Sequence, residues 1–243
     1  RSEKSMNSEF GVPLTILGEK SGWNNPLRWL FILARGMFVP FQKEYPTHLV
    51  LEIGADRPGD IKSITSWIKP DITVVTPFGE VPVHIEFFKD RDAVVEEKGY
   101  LVRALKETGL FIYNKDDHDA ARLLELTETQ KMSIAIHEDA DVRAHNVVVY
   151  GNPIEGTEAD IITGGDTYKL VLPQVVGKSP MYSALPALAV AKYLSIPLTD
   201  ACTSLHNEPK PKGRMRILQG MNGSVIIDDS YNASPKACEH GLK

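Results

Sequence analysis

The stretch 91–138, "RDAVVEEKGYLVRALKETGLFIYNKDDHDAARLLELTETQKMSIAIHE", decides the fold. Its first part sets apolar residues at helical spacing and runs to Gly109, a residue suited to cap a helix in a left-handed turn. "LFIYN" is a short apolar run of strand type. "KDDHDAARLLEL" opens with carboxylates, which favour the positive end of a helix dipole. "KMSIAIHE" is a strand again. Helix, strand, helix, strand in that order calls for parallel strands joined by helical crossovers.

The same alternation extends outward. "HLVLEIG" (48–54) reads as a buried strand followed by the turn chemistry of "ADRPGD". "GDIKSITSWIK" reads as a short helix that stops before Pro70, and "DITVVTP" as a strand. Beyond residue 140 the pattern changes. "VRAHNVVVYG", "EADIITGG" and "YKLVLPQVV" are closely spaced strands with "NPIEG" and "GGDT" as turns, an antiparallel patch at one edge of the sheet. "SPMYSALPALAVAKYLSI" is a long apolar helix with Ser179 as its N-cap, Pro180 in its first turn and a kink expected at Pro186. "LTDACTSLHNE" is a further helix, "PKPKG" a stiff basic linker, and "GSVIIDDSYNASP" a strand running into a polar turn. The expected fold is α/β: a mainly parallel sheet with helices on both faces and an antiparallel edge patch. No internal repeat is visible.

Composition bounds the function. The chain has 243 residues, 42% of them apolar, enough for one large core or one core and part of a second. Its net charge of −5 argues against a general nucleic-acid-coating role, which needs clustered positive charge, and leaves room for a local anion site. Two cysteines, Cys202 and Cys238, make no disulfide framework and fit a reducing compartment. The most apolar stretch, Leu27 to Val39, is too short to cross a bilayer and contains Arg28 and Arg35. Some two dozen polar and mixed residues precede it, unlike a signal peptide. The expectation is a cytoplasmic, monomeric protein with no membrane insertion and no nucleic-acid partner.

In open parallel sheets ligands bind at the carboxyl ends of strands. Glu52 lies in the first strand, His84 follows the next after a Gly/Pro loop, and Lys98 lies in the helix beyond. A carboxylate and an imidazole can share a divalent cation. A lysine beside them would repel it unless modified, as a carbamate that supplies an anionic oxygen. The plainer alternatives are a solvated or paired Glu52, a structural His84, and Lys98 within a solvated charge run. "IIDDSYNASP" delivers two carboxylates to a strand end and follows them with a turn of hydrogen-bonding groups closed by proline. Acidic groups there can accept ribose hydroxyls or orient a metal, and Tyr231 or Asn232 can contact a nucleotide. The alternative is a helix N-cap. Arg214 in "KGRMR" is either a phosphate clamp or part of a solvated basic linker.

Five motifs in order, "SMNSEFGVPLTIL", "EIGADRPGDI", "VHIEFF…EEKG", "NKDD" and "GRMRILQGMNGSVIIDDSYNASP", resemble the Mur ligase family of peptidoglycan synthesis over nearly the whole chain. They fit the branch that adds D-alanyl-D-alanine to a UDP-N-acetylmuramoyl peptide. The polar turn after "GSVIID" places a domain boundary near Ile227–Pro235, and the resemblance implies the central ATPase domain, P-loop NTPase-like, over 1–212, and the hinge and start of the carboxyl-terminal ligase domain over 213–243. It implies ATP and Mg2+ as cofactors, and the UDP-linked peptide and D-alanyl-D-alanine as substrates. The activity implied is acid–amino-acid ligation through an acyl phosphate, in cell-wall synthesis, cell shape and division. Carried over, Glu52 and His84 match the magnesium-binding pair, and Lys98 the lysine carbamylated in several members. Lys98 and His84 are the implied catalytic residues. Arg214 and Asp229 match nucleotide-contacting positions, and Asn7 falls in a loop near the phosphates.

Three departures stand out. No stretch matches G-x-x-x-x-G-K-[ST], whose place in the family lies shortly before Arg1. The chain therefore reads as a fragment truncated at both ends and is expected to be inactive alone. "SPMYS", with Ser179, Pro180 and Ser183, stands where the family has a His-Asn pair and an adenine-contacting Asn. The segment before His84, "FGEVPV", is longer than the family's usual spacing, and this and the Ser183 departure keep open a non-catalytic module of the same fold that binds a nucleotide or partner. A ligase of the superfamily with another acceptor, a folate-polyglutamate or an amino-acid polymer, is the third reading.

Overall fold

The computed structural model describes residues 6–78 and 85–231, and the side chain of every one of these except Pro40 and Ile85. His84 and Asn232 lie outside the described residues. Two compact units divide the described chain, one of residues 6–68 and 85–100, the other of residues 69–78 and 101–231.

The first unit is helical. α1 (Gly11–Leu17) ends at Gly18, whose left-handed φ of 67° lets its amide turn back to the carbonyls of Leu14 and Thr15. α2 (Pro26–Phe38) starts from Asn25, whose side chain accepts from the Arg28 amide, with Pro26 at the first position. α3 (Asp60–Thr65) follows the turn at Gly59 and stops before Pro70, as the sequence indicates. α4 (Arg91–Arg103) counts with this unit through Tyr100. The segment 48–54, read as a buried strand, is not one. Among the described residues it belongs to no sheet, and Val50 is 89% exposed. An apolar run becomes a strand only when a neighbour takes up its amides and carbonyls. Its Gly54 amide bonds the Asn7 carbonyl at 3.0 Å, a loop partner and not a strand.

The second unit holds the sheet. β1 (Ile72–Val75), β2 (Leu110–Asn114), β3 (Gln130–Ala135) and β4 (Val142–Tyr150) are parallel in that order. β5 (Gly156–Thr163) and β6 (Asp166–Pro173) continue it antiparallel. The sequence reading of a parallel sheet with an antiparallel edge patch is borne out. Leu110, Phe111 and Ile112 are all fully buried, so both faces of β2 are covered, the mark of a parallel interior strand. α5 (His118–Arg122) packs on β2, α6 (Lys178–Tyr193) on β3 and β4, and α7 (Leu198–Asn207) on β6. Met181, Leu185 and Leu188 of α6 join Ile112, Ile134 and Ile161 of the strands in one core.

Two expected caps differ. Gly109 does not close α4, which ends at Arg103. It stands instead before β2, its amide bonded to the Lys106 carbonyl. α6 begins at Lys178 after Gly177, not at Ser179, and runs through Pro186 as one helix. The Gly177 amide is taken by Thr157 Oγ1 at 2.9 Å, a partner on β5 that local sequence does not reveal. A small second sheet pairs β7 (Arg216–Gln219) with β8 (Val225–Asp228). Its β7 is tied to the chain before α6 by the Ile217 amide and the Gln174 carbonyl at 2.8 Å.

Candidate functional site

In the first unit the structure brings Asn7 against the segment that carries Glu52. Beyond the backbone bond to Gly54, the Asn7 side chain packs so closely that a methyl group on Gly54 would stand 2.6 Å from Asn7 Nδ2. A larger residue at 54 would have to push the Asn7 side chain aside. Glu52, two residues earlier, is exposed. Lys98 is half-buried on α4.

The residue beside Lys98 explains how α4 is fixed. Glu97 is 5% exposed, and its carboxylate accepts from the amides of Gly59 at 2.9 Å, Ile61 at 2.8 Å and Lys62 at 3.2 Å. These are orphan donors at the start of α3, and an anion satisfies them best. Glu97 therefore locks the Lys98 helix to the "DRPGDI" turn that follows Glu52. No role was assigned to Glu97 from the sequence. The available signal was its spacing: it falls three residues after buried Val94 and four before Leu101, a carboxylate on an apolar stripe that needs N–H partners.

In the second unit the structure joins Arg214, Asp229 and Tyr231. The Arg214 guanidinium lies 4.4 Å from the centre of the Tyr231 ring. The Tyr231 amide donates to the Gly213 carbonyl at 3.0 Å. Asp229 Oδ1 accepts from the Met215 amide at 3.2 Å, and Asp228 Oδ2 from the Gly213 amide at 3.0 Å. Asp228 Oδ1 also takes the Ser230 hydroxyl at 2.6 Å, the largest cause holding its carboxyl below the usual range. The two carboxylates thus fold the "DDSY" turn onto "GRM" and leave the stacked guanidinium and phenol exposed.

The "NKDD" stretch closes the carboxyl end of β2. Asp116 accepts from the amides of Ile136, His137 and Glu138 and from the Tyr182 hydroxyl at 2.7 Å. Burial works to raise its carboxyl, but these four donors outweigh it and hold the group below the ordinary value. Asp117 caps α5 and also takes the Phe78 amide. Ser183 Oγ donates to the Ser179 carbonyl of its own helix. Among the described residues no group of three or more His, Cys, Asp or Glu stands ready to hold a metal. No described helix is long and apolar enough to cross a membrane.

A parallel sheet with an antiparallel extension, packed helices and a polar turn after the small second hairpin make this an α/β domain, and the chain belongs to the Mur ligase family, whose middle-domain pattern matches residues 33–191. Its similarity runs to particular members. It is 26% identical over 232 residues to the UDP-N-acetylmuramoyl-tripeptide–D-alanyl-D-alanine ligase of Buchnera aphidicola, covering 95% of this chain and 44% of that one. It is 26% identical to the Bacillus subtilis ligase of the same name, covering 98% and 45%. The crystal structure of MurF from Acinetobacter baumannii superposes with a TM-score of 0.73 at 25% identity, covering 98% of this chain and 51% of that one. A Thermotoga maritima MurF structure in complex with ADP shares the fold, with a TM-score of 0.73 at 22% identity, covering 95% and 52%. The chain spans about half the length of the relatives it matches.

Proposed function

We propose that this chain is the central portion of an ATP-dependent ligase that joins D-alanyl-D-alanine to a UDP-N-acetylmuramoyl tripeptide in the cytoplasm. The observation that carries the reading is similarity along 95% or more of the chain to ligases of that name. In the proposed reaction the γ-phosphoryl group of ATP passes to the peptide carboxylate, giving an acyl phosphate and ADP. The free amine of D-alanyl-D-alanine then attacks the acyl carbon. The C–N bond forms as the C–O bond to phosphate breaks, and the nitrogen loses a proton.

Arg214, stacked on Tyr231, clamps phosphate oxygens of the nucleotide, and Asp229 and Tyr231 hold its ribose and base side. Asn232, the next residue in sequence, belongs to the same proposed nucleotide-contacting set. Asn7, held against Gly54, donates its amide toward the phosphates. The donors suit Mg2+: it takes one or two carboxylates and otherwise water and substrate phosphates. Exposed Glu52 is such a carboxylate, and a triple-acid cluster is not needed. Glu52, His84 and Lys98, the last as its carbamate, would hold the ion. When bound, Mg2+ neutralises charge that builds as two anionic partners meet. Glu97, by locking α4, sets the position of Lys98 without touching substrate.

A second reading is a nucleotide-binding module without ligation. One observation favours it: Ser183 bonds its own helix where the family's adenine contact is expected. The test is phosphate release by a protein of the relatives' length, given ATP, Mg2+, UDP-N-acetylmuramoyl tripeptide and D-alanyl-D-alanine. Turnover that needs all three substrates supports the ligase. Binding of ATP without turnover supports the module. The 243-residue chain alone, which has no P-loop motif, should release no phosphate.

A further inference from the structure

From Lys20 to Lys43 the chain has no acidic residue and four basic ones, Lys20, Arg28, Arg35 and Lys43. This segment carries +4 in a chain of net −5, so the remainder carries −9 (−5 less +4). Two of the three tryptophans, Trp23 and Trp29, lie in it. At its centre α2 is well anchored on one side. Ile32 is buried, Trp29 Nε1 donates to the Trp23 carbonyl at 2.9 Å, and buried Glu19 receives both Arg35 at 2.6 Å and Arg28 at 3.4 Å. The other side of the helix is bare. Leu27, Leu30, Phe31, Met37 and Phe38 recur at i, i+3, i+4, i+10 and i+11, one stripe, and are 57–76% exposed. Trp23 at one end and Phe41 at the other are more than 80% exposed.

We propose that this stripe of α2 lies on the surface of an anionic phospholipid bilayer, with the helix axis in the membrane plane. Thirteen residues reach roughly 20 Å, short of the roughly 30 Å hydrocarbon core, so the helix rests on the membrane and does not span it. A stripe of Leu, Phe and Met flanked by Arg, with Trp near the helix start, is the composition of an interfacial helix. Arg28 and Arg35 are half-exposed at the stripe's margin, and one carboxylate between two guanidiniums leaves net positive charge for lipid phosphates. The charge pattern selects lipid over a second copy of this chain, because two copies meeting at this stripe would bring two net-basic stretches together, +2 each even with the flanking Glu19 and Glu44 counted.

The experiment is flotation with vesicles, on the 243-residue protein and on a form with the length of its relatives. The vesicles are pure phosphatidylcholine or an equimolar mixture with phosphatidylglycerol. Both proteins should partition about tenfold more strongly to the anionic vesicles, and added salt should reduce the difference. Leu30→Glu with Phe31→Glu, both at exposed positions, should abolish partition while circular dichroism stays unchanged. Lys20→Gln with Lys43→Gln should lower the anionic preference several-fold. Four results would overturn the proposal: no partition to either vesicle, partition indifferent to the Leu30/Phe31 change, loss of partition in the longer form, or a lipid-free dimer that the same change dissolves. None of these bears on ligation, so this test and the phosphate-release test fail separately.

Discussion

Glu97 and Lys98 are neighbours with opposite duties. Glu97 is spent on three amides, so Glu97→Gln removes the charge that strengthens those bonds and should cost about 1–3 kcal/mol of stability. Urea unfolding reads this as a lowered midpoint with an unchanged slope; an unchanged midpoint would contradict the assignment. Asp116 gives a pH prediction. Its folded-state carboxyl lies below the ordinary 3.8, so the unfolded chain binds the proton more readily. Its contribution is present above 3.8 and is lost as pH falls below that value. Asp116→Asn should flatten the acid side of a stability–pH profile; an acid limb as steep as the parent's would show that other groups cause it. At this scale the sequence exposed Glu52, Lys98, Arg214 and Asp229 as chemically notable, because charged groups beside glycine turns stand out. It hid Glu97 and Asp116, whose partners are backbone amides of segments more than 19 residues away.

At the scale of elements, local pattern succeeded where an element carries its own boundaries. "LFIYN" is bounded by Gly109 and a helix-capping Asp117, and β2 spans those five residues. "HLVLEIG" has the same apolar character yet forms no described strand, because a strand is completed by its neighbour and not by its composition. The start of α6 was misplaced by two residues because Thr157, not a local serine, takes the Gly177 amide. Two predictions belong here. Leu185→Ala empties a fully buried position between α6 and the sheet and should cost about 2–5 kcal/mol, measured by thermal or urea unfolding. A cost below about 1 kcal/mol would mean that the core closes over the gap. Gly213 has a φ of 70°, and a methyl group there would meet the Tyr231 amide nitrogen at 2.8 Å. Gly213→Ala should therefore loosen the Arg214–Tyr231 stack. Faster hydrogen exchange at the Met215 and Tyr231 amides, with the main sheet unchanged, is the expected result; unaltered protection at both would contradict it.

For the molecule as a whole, alternation of helix and strand was enough to read a parallel sheet with an antiparallel edge, because the period of the apolar residues changes with the element. What the pattern could not show is how the candidate residues divide. Asn7, Glu52 and Lys98 belong to one compact unit and Arg214, Asp229 and Tyr231 to the other. Residues far apart in sequence reach one unit through tertiary bonds such as those of Glu97, and no local period encodes these. The central claim is that Glu52 and Lys98 serve phosphoryl transfer and amide formation, and activity tests it most directly. In a protein of the relatives' length, Glu52→Ala and Lys98→Ala should each lower kcat for D-alanyl-D-alanine addition by about a hundredfold or more while unfolding midpoints stay near the parent's. Parent-like kcat in both variants would contradict the account.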